Sequence, residues 1–239
     1  MSHLVTERLI QRQLNHWNSL RAVLRRDKLQ SEPTRGPVIT VSRLAGSGGR
    51  RLARQLAERL DLELHDQSLV DRIARDSDLE RAVVAQLDEK TVSRVHLWIQ
   101  GALQQRIFLT DDYHTALVRV VTSLAARGGV VFLGRGANLI LGERADLRVR
   151  VVASDRNRQE RVRARRDLGR AEARVLLDQV DAQREDFVRR VFQTEPCQPR
   201  NFDLVLNADR LSTANMADHA LLALAHGRRS TIRQSAAAV

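Results

Sequence analysis

Val38-Ile39-Thr40-Val41-Ser42-Arg43-Leu44-Ala45-Gly46-Ser47-Gly48-Gly49-Arg50-Arg51 is the stretch that decides the fold of this chain. Val38 to Val41 is a β-branched run and reads as a short strand. Gly46, Gly48 and Gly49 crowd into the next few positions, a poor choice for a rigid interior but a good one for a tightly curled backbone. From about Arg50 the pattern changes to that of a helix, with Leu52, Leu56 and Leu60 at i, i+4 and i+8. A strand, a glycine turn and a helix in succession aim several backbone N–H groups, and the positive end of a helix dipole, at one point. That arrangement suits an anion such as phosphate.

The stretch departs from the usual phosphate-loop pattern G-x-x-x-x-G-K-[ST]. With Gly48 as the last loop glycine, Gly49 stands in the lysine slot and Arg50 in the hydroxyl slot. If Arg50 is slid into the lysine slot, Arg51 falls where the hydroxyl belongs, and Arg43 stands where the first glycine would be. On pattern alone, a tight turn feeding a helix is as good a reading as an anion cradle.

Reading outward, Leu62 to His65 forms a second strand ending at Asp66, and helical segments run to about Arg127 with a break near Ser77-Asp78. Val130 to Leu133 is the continuous apolar run of a buried parallel strand, ending at Gly134. Leu147, Val149 and Val151 alternate with arginines as another strand. One long arginine-rich helical region is expected from Asp155 to Phe192, then a strand at Leu204 to Leu206 and a helix from Leu211 to Ala225. Strands alternating with helices predict an α/β fold with a central parallel sheet, whose ligands bind beyond the carboxyl ends of the strands. Those ends carry the glycine loop, Asp66 and Gly134-Arg135-Gly136.

Residues 4–26 read as an amphipathic helix, and 27–37, with Pro33, Gly36 and Pro37, as a linker. Domain boundaries are therefore expected at 1–37, 38–227 and 228–239, the last a basic, frayed tail. The N-terminal helix is expected to cover the core or to form a homodimer contact.

A hydrophobic fraction of 43% predicts a packed globular chain. The net charge of +11 favours polyanions. However, Lys28 and Lys90 are the only lysines, so nearly all of the 40 basic residues are arginine and a single arginine is weak evidence of a site. Aromatics make up only 3%, too few to stack single-stranded nucleic acid, and nucleic acid is not expected as a partner. The lone Cys197 excludes an internal disulfide, and the histidines lack metal-ligand spacing. With no apolar run of membrane-spanning length and no secretory leader, no membrane partner is expected and the cytosol is the expected location.

Residues 38–225 resemble the cytidylate kinase-like family of bacterial proteins. The resemblance is carried by Ile39 to Arg43 with Gly46 to Arg50, by Leu64-His65-Asp66, by Leu133 to Asn138 and by Asn201 to Asn207, in the family's order. It implies a P-loop NTPase-type three-layer sandwich with a helical lid, and phosphoryl transfer from ATP with Mg²⁺ to a nucleoside monophosphate, CMP or dCMP by family likeness. It implies that Ser42, Arg43 and Gly46, Ser47, Gly48, Gly49, Arg50 and Arg51 surround the donor phosphates. Asp66 and Arg135 would hold the acceptor. Asn138 would replace a ribose-binding aspartate whose place Gly136 has taken. Arg184 and Arg189 would close as a lid within a region from Asp181 to Arg190. On this reading Arg50 supplies the charge of the absent lysine. An alternative expectation is a nucleotide-binding protein that has lost transfer chemistry and acts in regulation, because the lysine and the hydroxyl are missing. Local readings also stay open: Asp66 can be a helix N-cap, and Arg184 and Arg189 a solvated helix face.

Overall fold

Five strands pair in parallel: β1 (Val38–Arg43), β2 (Glu63–Asp66), β3 (Val130–Leu133), β4 (Leu147–Val152) and β5 (Leu204–Asn207), in the order β2-β3-β1-β4-β5. This is a computed structural model, and it describes residues 36–85, 87 and 112–237, with side chains through Gly227. The helix expected at 4–26 and its homodimer contact lie outside the described residues. The described residues fall within a unit spanning Arg35–Val239.

β1 runs two residues further than its apolar run, because Ser42 and Arg43 stay in register with Arg150 and Val151 of β4. On its other side Val38 to Val41 pair with Val130 to Leu133. The alternation of a strand decides which residues serve which layer. Ile39, Val41, Val149 and Val151 pack with Leu52 and Leu56 of α1 (Gly49–Leu60) and with Met216 and Ala220 of α8 (Thr213–Ala237). The second layer holds α2 (Gln67–Arg75), α3 (Ser77–Ala85), α4 (Asp112–Arg127) and α5 (Ala137–Leu141); α5 rests on β1, and α4 packs on α5 and on α2. The result is the α/β three-layer sandwich with a parallel sheet.

Two expectations change. The single helix expected over 155–192 is two, α6 (Asp155–Arg166) and α7 (Arg170–Phe192). Asp167 takes a left-handed conformation at φ 52° as the C-cap of α6, which breaks the helical path before Gly169. The last helix does not stop at Ala225: α8 continues through the expected frayed tail to Ala237. The carboxyl ends of all the strands fall on one edge of the sheet. The chain's winding reverses between β1 and β3, where open parallel sheets form a crevice.

Candidate functional site

Gly46 and Gly48 turn the chain with φ of 73° and 93°, a region that side-chain-bearing residues rarely visit. The turn is held from inside by Ser47, which is fully buried; its Oγ donates to the Leu44 carbonyl at 2.9 Å. The amides of Gly46, Gly48, Gly49 and Arg50 have no hydrogen-bond partner among the described residues, since the first intrahelical bonds belong to Arg51 and Leu52. Ala45, next in line, donates its amide to Asp181 Oδ1 at 2.7 Å.

α6 clamps this loop from below with two arginines one turn apart. Arg158, buried, donates to the Ala45 carbonyl at 3.1 Å and pairs with Asp155 and Asp181. Arg161 donates to the Ser47 carbonyl at 3.0 Å and to the Ala208 carbonyl at 2.6 Å. At Gly46 a Cβ would lie 2.9 Å from the Arg158 carbonyl, so only glycine allows α6 this close. Both arginines were hidden in the sequence by the general arginine richness. The available signal was their spacing of three along a helix, which puts them on one face.

A cleft opens above the switch point. Its walls include Ser42, Arg43, Arg135, Asn138, Arg150 and Arg184. The pKa of Arg43 is drawn down to about 9, first by burial and then by the neighbouring charges of Arg184, Arg50 and Arg135; Asp66 alone pulls the other way. Burial likewise lowers Arg184, with Asp181 pulling back and Arg50 adding to the fall. So much like charge in a half-buried space favours any anion that enters.

The expected site residues take distinct positions. Arg50 is 56% exposed and pairs with Asp66 at 3.4 Å. Arg51 is exposed. Asp66 caps α2: its Oδ1 accepts from the amides of Ser68 at 3.1 Å and Leu69 at 3.2 Å. Arg135 takes φ 55° between Gly134 and Gly136 and forms a two-pronged pair with Asp71, whose Oδ1 also accepts from Tyr113 Oη at 2.6 Å. Burial works against the charge of Arg135, but the Asp71 hydrogen bonds and the nearby Tyr113 and Asp71 keep it above its ordinary range. Arg135 also lies over the Phe187 ring of α7. Asn138 is buried in the cleft wall, its amide reaching the Asn201 carbonyl at 3.5 Å.

Of the two arginines expected to form a lid, α7 brings Arg184 into the cleft wall, where it lies 3.6 Å from Asp181. Arg189 is half exposed and pairs with Glu185 and Glu195 instead. Arg150 is a site residue that the sequence reading missed. It is only 7% exposed and has neutral partners: Ser42 Oγ at 3.2 Å, the Pro196 carbonyl at 3.4 Å, Cys197 Sγ at 2.9 Å and the face of Phe202. Its signal was the alternation of β4, which sets Arg148 and Arg150 on the face opposite Val149 and Val151.

The loop fits the phosphates of a nucleotide, because unpaired amides and positive-φ glycines line a cradle with cations around it. For Mg²⁺ the nearby residues offer single carboxylates only; among the described residues no group of three His, Cys, Asp or Glu side chains could hold a metal ion. Nor, among these residues, is any helix long and apolar enough to cross a membrane.

No curated protein sequence matches this chain. Among solved structures, an uncharacterized protein from Eubacterium ventriosum ATCC 27560 superposes with a TM-score of 0.64 at 16% identity, over 80% of this chain and 98% of that one. A gluconokinase from Sinorhizobium meliloti 1021 gives 0.46 at 18% identity, over 85% and 99%. A shikimate kinase from Acinetobacter baumannii in complex with shikimate gives 0.40 at 16%, over 78% and 91%. At 16% identity the first of these likenesses concerns the fold. The sequence model of the cytidylate kinase-like family matches residues 38–210, most of the chain, so the protein belongs to that family, whose kinase character supports phosphoryl transfer and nucleotide binding.

Proposed function

We propose that this protein transfers a phosphoryl group from ATP, with Mg²⁺, to a nucleoside monophosphate of the CMP or dCMP kind, in the cytosol. The single observation that carries the reading is the row of unpartnered amides at Gly46, Gly48, Gly49 and Arg50, set in left-handed turns at the end of the central strand. When bound, the nucleotide supplies the phosphoryl group and its metal ion neutralises the outer phosphate oxygens. The chain's own part is positioning and charge. The loop amides hold the donor phosphates. Arg184, on a helix that touches both the loop and the cleft, places positive charge over the reacting groups. Arg135, kept in one orientation by Asp71 and Phe187, faces the acceptor side together with Asn138. Asp66, fixed as the cap of α2 beside Arg50, is the carboxylate available to a metal ion through water.

A second reading is nucleotide binding without turnover, in a regulatory role. It is favoured by the commitment of Arg135 to Asp71 and by the absence of a loop lysine and hydroxyl. A coupled assay of ATP consumption against a panel of nucleoside monophosphates, run beside calorimetric titration of ATP, separates the two. Turnover with CMP or dCMP supports the first; ATP binding with no turnover on any acceptor supports the second. Absence of ATP binding overturns both. Replacing Arg135 by Gln should raise the acceptor KM at least tenfold while leaving ATP affinity unchanged.

A further inference from the structure

Gly49 occupies the place where a phosphate loop normally carries its lysine, yet the space in front of it is not open. A Cβ built on Gly49 would lie 2.5 Å from the Cβ of Arg43 and 3.1 Å from its Cγ. The two positions therefore abut, and a side chain at 49 is excluded as long as one is present at 43. From there the Arg43 side chain crosses the end of β1 to Gly134 at the end of β3. It lies so close on Gly134 that a Cβ there would overlap Nη1. Glycines at 49 and 134 thus form the channel through which one guanidinium enters the cleft.

We infer that residues 43 and 49 have exchanged roles: Arg43, standing at the loop's first-glycine position, supplies the cation that grips the outer phosphates of a nucleoside triphosphate, and Gly49 is the glycine that makes room for it. The inference rests on the nucleotide reading above. It differs from the sequence expectation, which gave the cation's part to Arg50.

The charge arrangement supports this. Among the described residues Arg50 has Asp66, Arg135 has Asp71 and Arg184 has Asp181, whereas Arg43 has no carboxylate within ion-pair distance. Its nearest charges are mostly other arginines. A desolvated cation with cationic neighbours and no anion costs the folded chain free energy, and an incoming polyphosphate offsets that cost. Arginine also suits the task, since its planar fork can hold phosphate oxygens in pairs. A merely structural arginine would have a protein acceptor, and none is found for this guanidinium among the described residues.

The test is calorimetric titration of the full chain with ATP and, separately, AMP, with thermal melting of each variant without ligand. Arg43→Gln should weaken ATP binding at least tenfold, leave AMP binding within threefold, and raise the melting temperature, because it removes an unpaired charge. Gly49→Lys alone should lower the melting temperature and abolish ATP binding, through collision with Arg43. Combining Arg43→Gly with Gly49→Lys restores the common placing of the first glycine and the lysine and should bring ATP affinity to within about threefold of the unaltered chain, well above that of Arg43→Gly alone. Undiminished ATP affinity in Arg43→Gln, or a double variant no better than Arg43→Gly, overturns the exchange and leaves the nucleotide reading standing. An unaltered chain that binds no ATP overturns both. Should Arg43→Gln fold poorly, that too counts against the inference, and Arg43→Lys supplies the affinity measurement, with an expected loss of less than tenfold.

Discussion

Asp181 Oδ1 accepts the amide hydrogen of Ala45 at 2.7 Å, so a carboxylate on α7 sits at the rim of the glycine loop that leads into α1. The other carboxylate oxygen pairs with the buried Arg158. One side chain thus joins α7, the loop and the helix that clamps the loop. Asp181→Ala should cost about 3 kcal/mol in urea unfolding, because it leaves Arg158 buried with only the exposed Asp155 as counter-charge. Asp181→Asn keeps an acceptor for the Ala45 amide but removes the same counter-charge, and should cost about 2 kcal/mol. Equal stability of Asp181→Ala and the unaltered chain would show that the contact is incidental.

Gly136 and Gly142 separate two sources of strain. Both have positive φ, 65° and 53°. A Cβ at Gly136 would lie 2.5 Å from Phe192 Cζ, whereas one at Gly142 meets nothing within 4 Å. Gly142→Ala should therefore cost about 2 kcal/mol from the backbone alone, because φ 53° with ψ −128° lies outside the left-handed helical region and is open to little but glycine. Gly136→Ala should cost about 3 kcal/mol, as the end of α7 must also give way. Thermal melts read both, and a loss of only about 1 kcal/mol at Gly136, the backbone cost of a left-handed residue by itself, would remove Phe192 from the account.

Tyr113 is the only tyrosine in the chain, which makes its ionisation directly visible by absorbance near 295 nm. Burial first, and then its hydrogen bond to Asp71, push its pKa well above the ordinary value of 10. The folded chain should show no tyrosinate signal at pH 10.5, where the urea-unfolded chain is already largely ionised. Because the folded pKa is the raised one, the stabilisation is complete below pH 10. It is lost as pH rises from the unfolded pKa toward the folded one. Asp71→Asn should bring the folded titration back toward 10; a folded titration unchanged by this substitution would reject Asp71 as a cause.

Arg161 tests the clamp on the loop. Arg161→Ala frees the Ser47 and Ala208 carbonyls and should cost about 2 kcal/mol. Amide exchange should quicken over residues 44–48 before the global unfolding limit, with ATP affinity falling several-fold. Unchanged exchange in that segment would mean that Arg158 alone holds the loop.

The strand, glycine turn and helix at Val38 to Leu60 were legible from residue order, because each depends on neighbours close in the chain: β-branching, φ freedom and a spacing of four. The run Val130 to Leu133 was legible for the same reason, as a stretch apolar at every position fits a strand covered on both faces. The N-cap reading of Asp66 was open in the sequence and is what the geometry adopts, through the amides of Ser68 and Leu69. The break at Asp167 went unread although Asp167 and Gly169 stand there as local signals of a stop, because arginine-rich residues continue helically on either side.

Residue order thus determined the parallel α/β scaffold, the place of the glycine turn and the family, since these follow from periodicity and from motifs contiguous in the chain. Only the tertiary structure decided which of many arginines are buried and which stand away from a carboxylate. Burial, distance to the nearest carboxylate and the room left by a missing Cβ depend on residues about a hundred positions apart, such as Arg43 with Gly134 and Arg158 with Ala45. In a chain where nearly every cation is a guanidinium, composition cannot tell a solvated charge from one held without an anion; only its surroundings can.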